Sequence, residues 1–253
     1  MSQDRRKFIK TAAAGGALAA LLPQLVSASI IEKGSKSKKV KLSKDDVILF
    51  QGDSITDMGR NRSAKGPNDN SGLGASYPFI AAAELLLHHP DKNLQIYNRG
   101  ISGNVVPQLA ARWDEDCIAL KPNILSILIG VNDYWHTLGG GYKGTLESYH
   151  KDYDALLART MKALPEVKLI IGEPYAITGV KAVSDSWFPT FNGYQKVARD
   201  LAEKYHAVFI PYQHIYEQAI KSAPASYWTH DGVHPDTAGD ALMARAVLEV
   251  IEK

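Results

Sequence analysis

The sequence has little of what several classes of protein require. Among its 253 residues Cys117 is the single cysteine, so no disulfide can form within the chain. Its 29 basic and 27 acidic residues leave a net charge of +2, far from the clustered basic excess of nucleic-acid-binding proteins. No run reaches the roughly 20 apolar residues of a membrane-spanning helix. We therefore expect a globular protein with no disulfide framework, no nucleic-acid partner and no membrane anchor.

The first 28 residues have the three regions of an export signal. A basic segment with Arg5 and Arg6 precedes a small-residue and apolar run over residues 11–26, and residues 26–28 fit a small-x-small cleavage site. The arginine pair, followed by an aromatic, an aliphatic and a lysine residue, resembles the twin-arginine signals of bacteria. The alternative is a membrane anchor, but the apolar run is too short to span a bilayer. We expect export by the twin-arginine machinery and a periplasmic or secreted protein.

Beyond the predicted signal, the composition favours one folded domain. Removing the four basic residues and one acidic residue of positions 1–28 leaves 25 basic and 26 acidic residues, so the positive balance belongs to the signal. Residues 29–44 contain lysines interleaved with serine and glycine, and we predict a solvated basic leader there. No repeat or proline-rich linker divides residues 45–253, which we assign to a single domain. We expect Cys117 to be buried packing in that domain.

Short apolar runs alternate with segments whose apolar residues recur at helical spacing. The runs lack polar alternation, as in parallel strands covered on both faces, and they are residues 47–50, 94–97, 124–129, 167–171 and 207–210. The helical segments are residues 77–88, 105–120, 146–164, 192–205 and 235–251. This alternation predicts βαβ units and an α/β fold with five parallel strands between helices.

Polar turns containing glycine follow three of the predicted strands. Ser54 comes two residues after Gly52, residues 98–104 follow the second strand, and residues 130–133 follow the third. In open parallel sheets, ligands bind at the carboxyl ends of the strands. We therefore place the functional site at this edge of the sheet, together with Asp231 and His234 from the segment before the last helix.

Ser54, His234 and Asp231 have the side chains of a nucleophile, its base and the carboxylate that orients the base. A serine hydroxyl needs a base to take its proton, and a histidine held by a carboxylate is the common solution. The oxyanion formed by attack on an ester needs fixed donors. We predict the backbone N–H groups of Ser54 and Gly100 and the side-chain amide of Asn132.

These segments resemble the four blocks of the GDSL or SGNH hydrolases. The four name-giving residues are present as Ser54, Gly100, Asn132 and His234, in order and spread over nearly the whole chain beyond the signal. The first block has Ile55 where the family often has leucine, which changes no catalytic atom. The resemblance implies a flavodoxin-like three-layer α/β/α sandwich, ester hydrolysis through an acyl-serine intermediate, and no cofactor.

Each candidate residue also has a simpler interpretation. A serine before a helix often only caps it, and Asp53 is expected to be a structural residue of the same turn. His230 and Asp231 raise metal binding as an alternative for His234, but the spacing offers no third ligand.

Asp133, Trp135 and Trp228 are predicted to contact substrate. The alternatives are a hydrogen bond to a turn backbone for Asp133 and core burial for the two tryptophans. Because the strand-end loops carry aromatic and polar residues rather than a long apolar run, we expect a short acyl group, most simply acetyl, on a carbohydrate. The alternatives are a broad acyl esterase or lysophospholipase, a non-catalytic carbohydrate-binding protein, and a flavodoxin-like nucleotide binder.

Overall fold

The structure, a computed structural model, describes residues 22–33 and 39–252. Its strands in those residues are β1 (Val40–Lys41), β2 (Val47–Gly52), β3 (Gln95–Asn98), β4 (Ile124–Leu128), β5 (Lys168–Gly172), β6 (Val208–Ile210) and β7 (Ile251–Glu252). Strands β2 to β6 form one parallel sheet in the order β3-β2-β4-β5-β6. The five predicted strands and the α/β class are confirmed.

The order of the sheet fixes where a ligand can bind. The chain runs from β2 to β3 on one side and then crosses to β4 on the other, which is the flavodoxin-like arrangement. Every residue of β4 is buried, as a central strand covered by helices on both faces requires. The crevice of such a sheet lies at the carboxyl ends of the two strands where the order reverses, here β2 and β4. Ser54 and Asn132 follow these two strands.

Helices flank the sheet. In the described residues they are α1 (Leu22–Lys33), α2 (Ser54–Asp57), α3 (Asn70–Leu73), α4 (Tyr77–His88), α5 (Val106–Ala111), α6 (Trp113–Asp116), α7 (Val131–Leu138), α8 (Leu146–Ala163), α9 (Thr190–Lys204), α10 (Tyr212–Ala219), α11 (Ala225–Trp228) and α12 (Thr237–Val250), with 3-10 turns at Pro90–Lys92, Ile118–Leu120 and Asp185–Trp187. One group contains α4 packed on α12, and another contains α8 packed on α5 and α9. None of the described helices has both the length and the apolar character needed to cross a membrane.

The helix predicted over residues 105–120 is interrupted. The chain leaves helical geometry at Arg112, whose guanidinium donates from Nε to Asn104 Oδ1 at 2.9 Å and from Nη1 to the Arg99 carbonyl at 2.6 Å. The segment therefore forms α5, α6 and a 3-10 turn. Cys117 follows α6 as a buried free thiol whose pKa burial raises to about 12, in agreement with the predicted packing role.

The amino-terminal part of the described chain packs on the domain. Helix α1 lies against α10 and α12, with Val26 and Ser29 buried, and it crosses the predicted cleavage position after residue 28. Strand β1 pairs with β7, and Val40 and Leu42 are buried, so the end of the segment predicted as a solvated leader belongs to the folded body. The arginine pair and most of the apolar run of the predicted signal lie outside the described residues.

Candidate active site

Ser54 is presented by a tight turn at the end of β2. The buried Asp53 caps α2, because its Oδ1 accepts the Ile55 N–H at 3.0 Å. A Cβ atom on Gly52 would lie 2.4 Å from both the Leu128 carbonyl oxygen and Thr56 Oγ1. The turn therefore requires glycine at position 52 for close packing, and Asp53 has the structural role predicted for it.

The structure brings Ser54, His234 and Asp231 together in one hydrogen-bonded chain. Ser54 Oγ lies 2.7 Å from His234 Nε2, and His234 Nδ1 lies 2.7 Å from Asp231 Oδ2. Since an ionised carboxylate only accepts hydrogen bonds, the imidazole proton belongs on Nδ1 and Nε2 is left to accept the serine proton. Ser54 and His234 are 180 positions apart in the sequence, yet the three side chains have the geometry of an activated serine nucleophile.

The loop that carries Asp231 and His234 is held by its own backbone and by Thr229. Asp231 Oδ1 accepts the N–H groups of Val233 at 2.8 Å and His234 at 2.7 Å. Thr229 Oγ1 donates to the His234 carbonyl and accepts the Gly232 N–H. Gly232 has φ +96, and a Cβ there would lie 2.3 Å from the Ile177 carbonyl oxygen. The two oxygens of Asp231 thus have separate tasks, one fixing the loop and the other fixing the imidazole.

Charges near the imidazole favour its protonated form. The hydrogen bond that His234 donates to Asp231 raises the pKa of His234 more than its partial burial lowers it, and the negative charge of Asp53 adds to the effect. Burial alone would raise the pKa of Asp231, but hydrogen bonds from His234 and Val233 outweigh it and hold that pKa well below its usual range. Burial raises the pKa of Asp53 to about 7. Asp231 is therefore ionised at neutral pH and can stabilise an imidazolium at position 234.

Gly100 does not have the free N–H group that its predicted role requires. Its N–H donates to Asn98 Oδ1 at 2.9 Å, and the residue is buried. A Cβ at this position would lie 2.6 Å from the Asp57 nitrogen, so the glycine is needed for packing against α2. The prediction of Gly100 as an oxyanion donor is therefore corrected, because the Asn98 side chain already accepts the hydrogen bond from its N–H.

Gly103, in the same turn, has the properties that Gly100 lacks. Its φ is +80, no atom lies within 4 Å of a Cβ built there, and its N–H has no hydrogen-bond partner among the described residues. The turn is held on both sides: Ser102 donates from its N and its Oγ to Asp57 Oδ2, both at 2.8 Å, and the Asn104 carbonyl accepts from Asn132 Nδ2 at 3.2 Å. The available donor therefore lies between the helix of Ser54 and the side chain of Asn132. In the sequence, Gly103 is only the second glycine of this turn, which does not distinguish it from Gly100.

Asn132 and Asp133 open α7 directly after β4. Gly130 caps the helix with φ +128, and a Cβ there would lie 2.5 Å from the Tyr149 hydroxyl. Asn132 uses one amide hydrogen for the Asn104 carbonyl, and its second hydrogen is available. Asp133 is 1% exposed and accepts the Val106 N–H at 3.0 Å, and burial raises its pKa to about 7. This placement matches the backbone-bonding interpretation of Asp133 and gives its side chain no surface for a substrate.

The two predicted tryptophan contacts have different surroundings. The Trp135 ring lies 6.2 Å from the His234 ring and 5.7 Å from the Trp187 ring. It also lines an open groove of about 690 Å³, with His136 and Tyr142 among the other lining residues. Trp228 is 3% exposed, and its indole donates to the Ala223 carbonyl at 3.2 Å. Trp135 is therefore beside the triad, whereas Trp228 is used in packing.

His230, which the sequence raised as part of a metal-binding alternative, supplies a third possible ligand atom beside Asp231 and His234. Its ring stacks 6.1 Å from that of His234, and ligand atoms of His230, Asp231 and His234 all lie within 4.8 Å of one another. His230 Nδ1 also lies 2.9 Å from Asp236 Oδ1. Both nitrogens of His234 already face Ser54 and Asp231, so a metal at this point would have to displace a triad hydrogen bond. The donor arrangement favours the triad over a metal centre.

Comparison with known proteins assigns the chain to a group of ester hydrolases. Residues 50–242 match the GDSL-like lipase/acylhydrolase family. An acetylxylan esterase from Geobacillus stearothermophilus is 34% identical over 214 residues, which cover 84% of this chain and 96% of that protein. A solved structure from Parabacteroides merdae, described as a GDSL-like lipase, is 48% identical with a TM-score of 0.82 and covers 84% of this chain and 98% of its own.

The structure of the Geobacillus acetylxylan esterase is also similar. It has a TM-score of 0.76 and 32% identity, and the match covers 85% of this chain and 98% of that one. Three of its catalytic mutants have been solved, in which a serine, an aspartate and a histidine are each replaced by alanine. The aspartate and histidine replaced in that protein are three positions apart, as Asp231 and His234 are here.

Proposed function

Because the chain belongs to the GDSL-like lipase/acylhydrolase family and is a carboxylic ester hydrolase, we propose that it removes acetyl groups from an acetylated carbohydrate, with xylan or xylo-oligosaccharides as the substrate class. The observation that carries the proposal is the hydrogen-bonded chain from Ser54 through His234 to Asp231. The similarity to an acetylxylan esterase over most of both chains supports the acetyl group and the sugar carrier.

The first half of the reaction forms an acetyl-enzyme. Ser54 Oγ attacks the carbonyl carbon of the ester while His234 Nε2 takes the hydroxyl proton. Asp231 Oδ2 holds the Nδ1–H and stabilises the imidazolium. The tetrahedral intermediate then breaks its bond to the sugar oxygen, which leaves with the proton from Nε2. The products of this half are the free sugar hydroxyl and acetyl-Ser54.

The second half uses water in the place of the sugar hydroxyl. His234 Nε2 takes a proton from water, the hydroxide attacks the acetyl carbon, and the collapse of the intermediate returns the proton to Ser54 Oγ and releases acetate. In both halves the oxyanion is stabilised by the N–H groups of Ser54 and Gly103 and by the free amide hydrogen of Asn132. Removing one such donor typically costs about 2.7 to 4 kcal/mol of barrier.

The groove lined by Trp135 is the proposed entry for the acetylated sugar. Its lining includes Trp135, whose ring lies 6.2 Å from the His234 ring, other residues of α7, and the glycine-rich segment at residues 139–141. An aromatic ring at this point can pack on the C–H face of a sugar, while Gln108 and Tyr142 offer hydrogen-bonding groups at its walls. Because the groove is open, it can take an acetylated unit that lies within a long sugar chain.

A fluorophosphonate probe tests the nucleophile. The folded protein should be labelled at Ser54, and Ser54→Ala should not be labelled. Ser63→Ala, which changes an exposed serine outside the site, is the matched control and should be labelled like the unaltered protein. Equal labelling of Ser54→Ala, or no labelling of the unaltered protein, would contradict the proposal.

The acyl group and its carrier need a separate measurement. We expect kcat/KM to be higher for acetylated xylo-oligosaccharides and nitrophenyl acetate than for nitrophenyl esters of eight or more carbons. A preference for the longer acyl chains would favour a broad acyl esterase or lysophospholipase instead.

We also propose that residues 1–28 direct export through the twin-arginine machinery to the periplasm or beyond. The support is the sequence pattern around Arg5 and Arg6. In a bacterial host, Arg5→Lys combined with Arg6→Lys should leave the protein in the cytoplasm. Cell fractionation and mass spectrometry of the mature amino terminus test this, and unchanged fractionation of the double variant would refute it.

A further inference from the structure

A second groove is lined by residues that follow β5 and β6, and none of them has a part in the mechanism above. Its volume is about 420 Å³, within the range of roughly 300 to 1,000 Å³ that small-molecule sites occupy. We call it the amide groove, because its lining includes the carboxamides of Asn192, Gln195 and Gln213. Its lining also contains two carboxylates, Asp185 and Glu217, and one aromatic ring, that of Phe188.

The base of the amide groove is already organised by hydrogen bonds. Gln195, which is 8% exposed, donates from Nε2 to Gln213 Oε1 at 3.0 Å, and the same oxygen accepts the Ala176 N–H at 3.0 Å. Gln213 Nε2 donates to Glu217 Oε1 at 3.2 Å. The Gln195 carbonyl oxygen accepts no hydrogen bond from the described residues, although the side chain is nine-tenths buried and lines the groove. A ligand hydroxyl can donate to it without any rearrangement.

The charge of the lining selects the class of ligand. Two carboxylates, Asp185 and Glu217, stand at the groove, and none of the described residues that line it is lysine, arginine or histidine. An anionic ligand would be repelled there, whereas a neutral polyhydroxylated one finds acceptors and donors on several sides. Phe188 adds an apolar ring, on which the C–H face of a sugar can pack.

The amide groove shares a wall with the triad. Ile177, in its lining, donates its N–H to the Gly232 carbonyl at 2.8 Å, and Ala182 donates to the Asp231 carbonyl at 2.9 Å. Asp185 and Phe188 flank Trp187, whose ring lies 5.7 Å from the Trp135 ring, which in turn lies 6.2 Å from His234. A sugar chain with one acetylated unit at Ser54 can therefore extend over this wall into the groove.

We propose that the amide groove binds an unmodified, neutral sugar unit of the same chain whose acetyl group is removed at Ser54. This inference rests on the proposed function and adds a second point of recognition to it. The groove then makes long neutral chains better substrates than single acetylated sugars, and it disfavours chains that carry uronic acids.

Binding can be measured without turnover. In the Ser54→Ala protein, calorimetry with unacetylated xylohexaose should give a Kd that rises about fivefold or more with each of Asn192→Ala and Phe188→Ala, since each removes one hydrogen bond or one aromatic contact. Lys196→Ala is the matched control and should leave the Kd unchanged. Lys196 is exposed on the same helix as Asn192 and does not line the groove. Thermal unfolding establishes that each variant is folded.

Two further measurements vary the length and the charge of the sugar chain. In the active enzyme, Asn192→Ala should lower kcat/KM for acetylated xylotetraose relative to that for nitrophenyl acetate, with the loss in KM rather than kcat. Asp185→Asn combined with Glu217→Gln should improve the binding of an oligogalacturonide, because both carboxylate charges are removed.

Unchanged Kd values and unchanged ratios in Asn192→Ala and Phe188→Ala would overturn the amide-groove proposal even if the enzyme deacetylates xylan. Absence of deacetylase activity with intact xylohexaose binding in the groove would instead overturn the proposed function. The two failures are therefore distinguishable.

Discussion

The isosteric change Asp231→Asn should disable Ser54 while leaving the loop in place. Oδ1 of Asp231 accepts the backbone N–H groups of Val233 and His234, and the asparagine oxygen can take over both bonds. The amide nitrogen then stands where Oδ2 faces His234 Nδ1 at 2.7 Å, and it can only donate. The imidazole proton is forced onto Nε2, which faces the serine hydroxyl at 2.7 Å and can no longer accept its proton.

The size of the effect follows from the loss of a general base together with the loss of a charge that stabilises the imidazolium. The same change in a serine protease triad lowers kcat about 10⁴-fold, and we expect a loss of that order here. At about 1.36 kcal/mol for each tenfold change, this corresponds to roughly 5 kcal/mol of barrier. The variant should keep nearly its full thermal stability, because its loop hydrogen bonds are retained.

Steady-state hydrolysis of nitrophenyl acetate across pH 5 to 9, with thermal unfolding alongside, tests this prediction. The pKa of His234 is raised mainly by the hydrogen bond that it donates to Asp231, so the acid limb of kcat should move to lower pH in the variant. A decrease in kcat of less than about 100-fold, or an acid limb that stays at the same pH, would refute the assigned tautomer of His234. Asp236→Asn, which changes the acid beside His230, is the matched control and should retain kcat within a few-fold.

Three further predictions concern the neighbours of the triad. Asn132→Ala should lower kcat for nitrophenyl acetate about 10²- to 10³-fold with KM little changed. A loss of less than tenfold would contradict the assignment of Asn132 as an oxyanion donor. The Asp53 pKa is raised from 3.8 to about 7, so its contribution to stability is complete below pH about 4 and is lost as pH rises through 7. Urea unfolding at pH 5 and pH 8 should therefore differ less in Asp53→Asn, and an unchanged difference would contradict the burial argument. Dialysis against a chelator should leave kcat unaltered, whereas lost activity restored by zinc would indicate a metal at His230.

The sheet was predictable because its signal is local. A parallel strand covered on both faces must be apolar along its length, so β4 and β5 could be located from composition alone. Short helices were harder to predict: α7 and α10 span only eight residues each, too few for a helical period to stand out. The break at Arg112 depends on hydrogen bonds to Arg99 and Asn104, which no propensity encodes.

The residues of the candidate triad were predictable because their chemistry restricts the residue types. Only a serine, a histidine and a carboxylate can make the chain from Ser54 to Asp231, and each follows a predicted strand or precedes a predicted helix. Residue chemistry could not show which tryptophan contacts substrate, since an indole side chain is equally suited to packing in a core and to contacting a sugar. Trp135 and Trp228 differ in burial, and burial depends on the packing of distant helices.

The sequence prediction named Gly100 as the backbone donor, whereas the structure leaves the N–H of Gly103 available. This difference also depends on how the chain packs. Both glycines stand in one turn after β3, and both offer a backbone N–H, so sequence alone gives no reason to choose between them. The choice is made by two side chains: Asn98 takes the Gly100 N–H, and Asp57 holds Ser102 so that the next N–H is left free. Asn98 also donates to the Thr56 carbonyl at 2.6 Å, which ties this turn to the helix of Ser54. A backbone donor is therefore available where neighbouring side chains leave its hydrogen without a partner, and that property belongs to the folded turn rather than to the glycine.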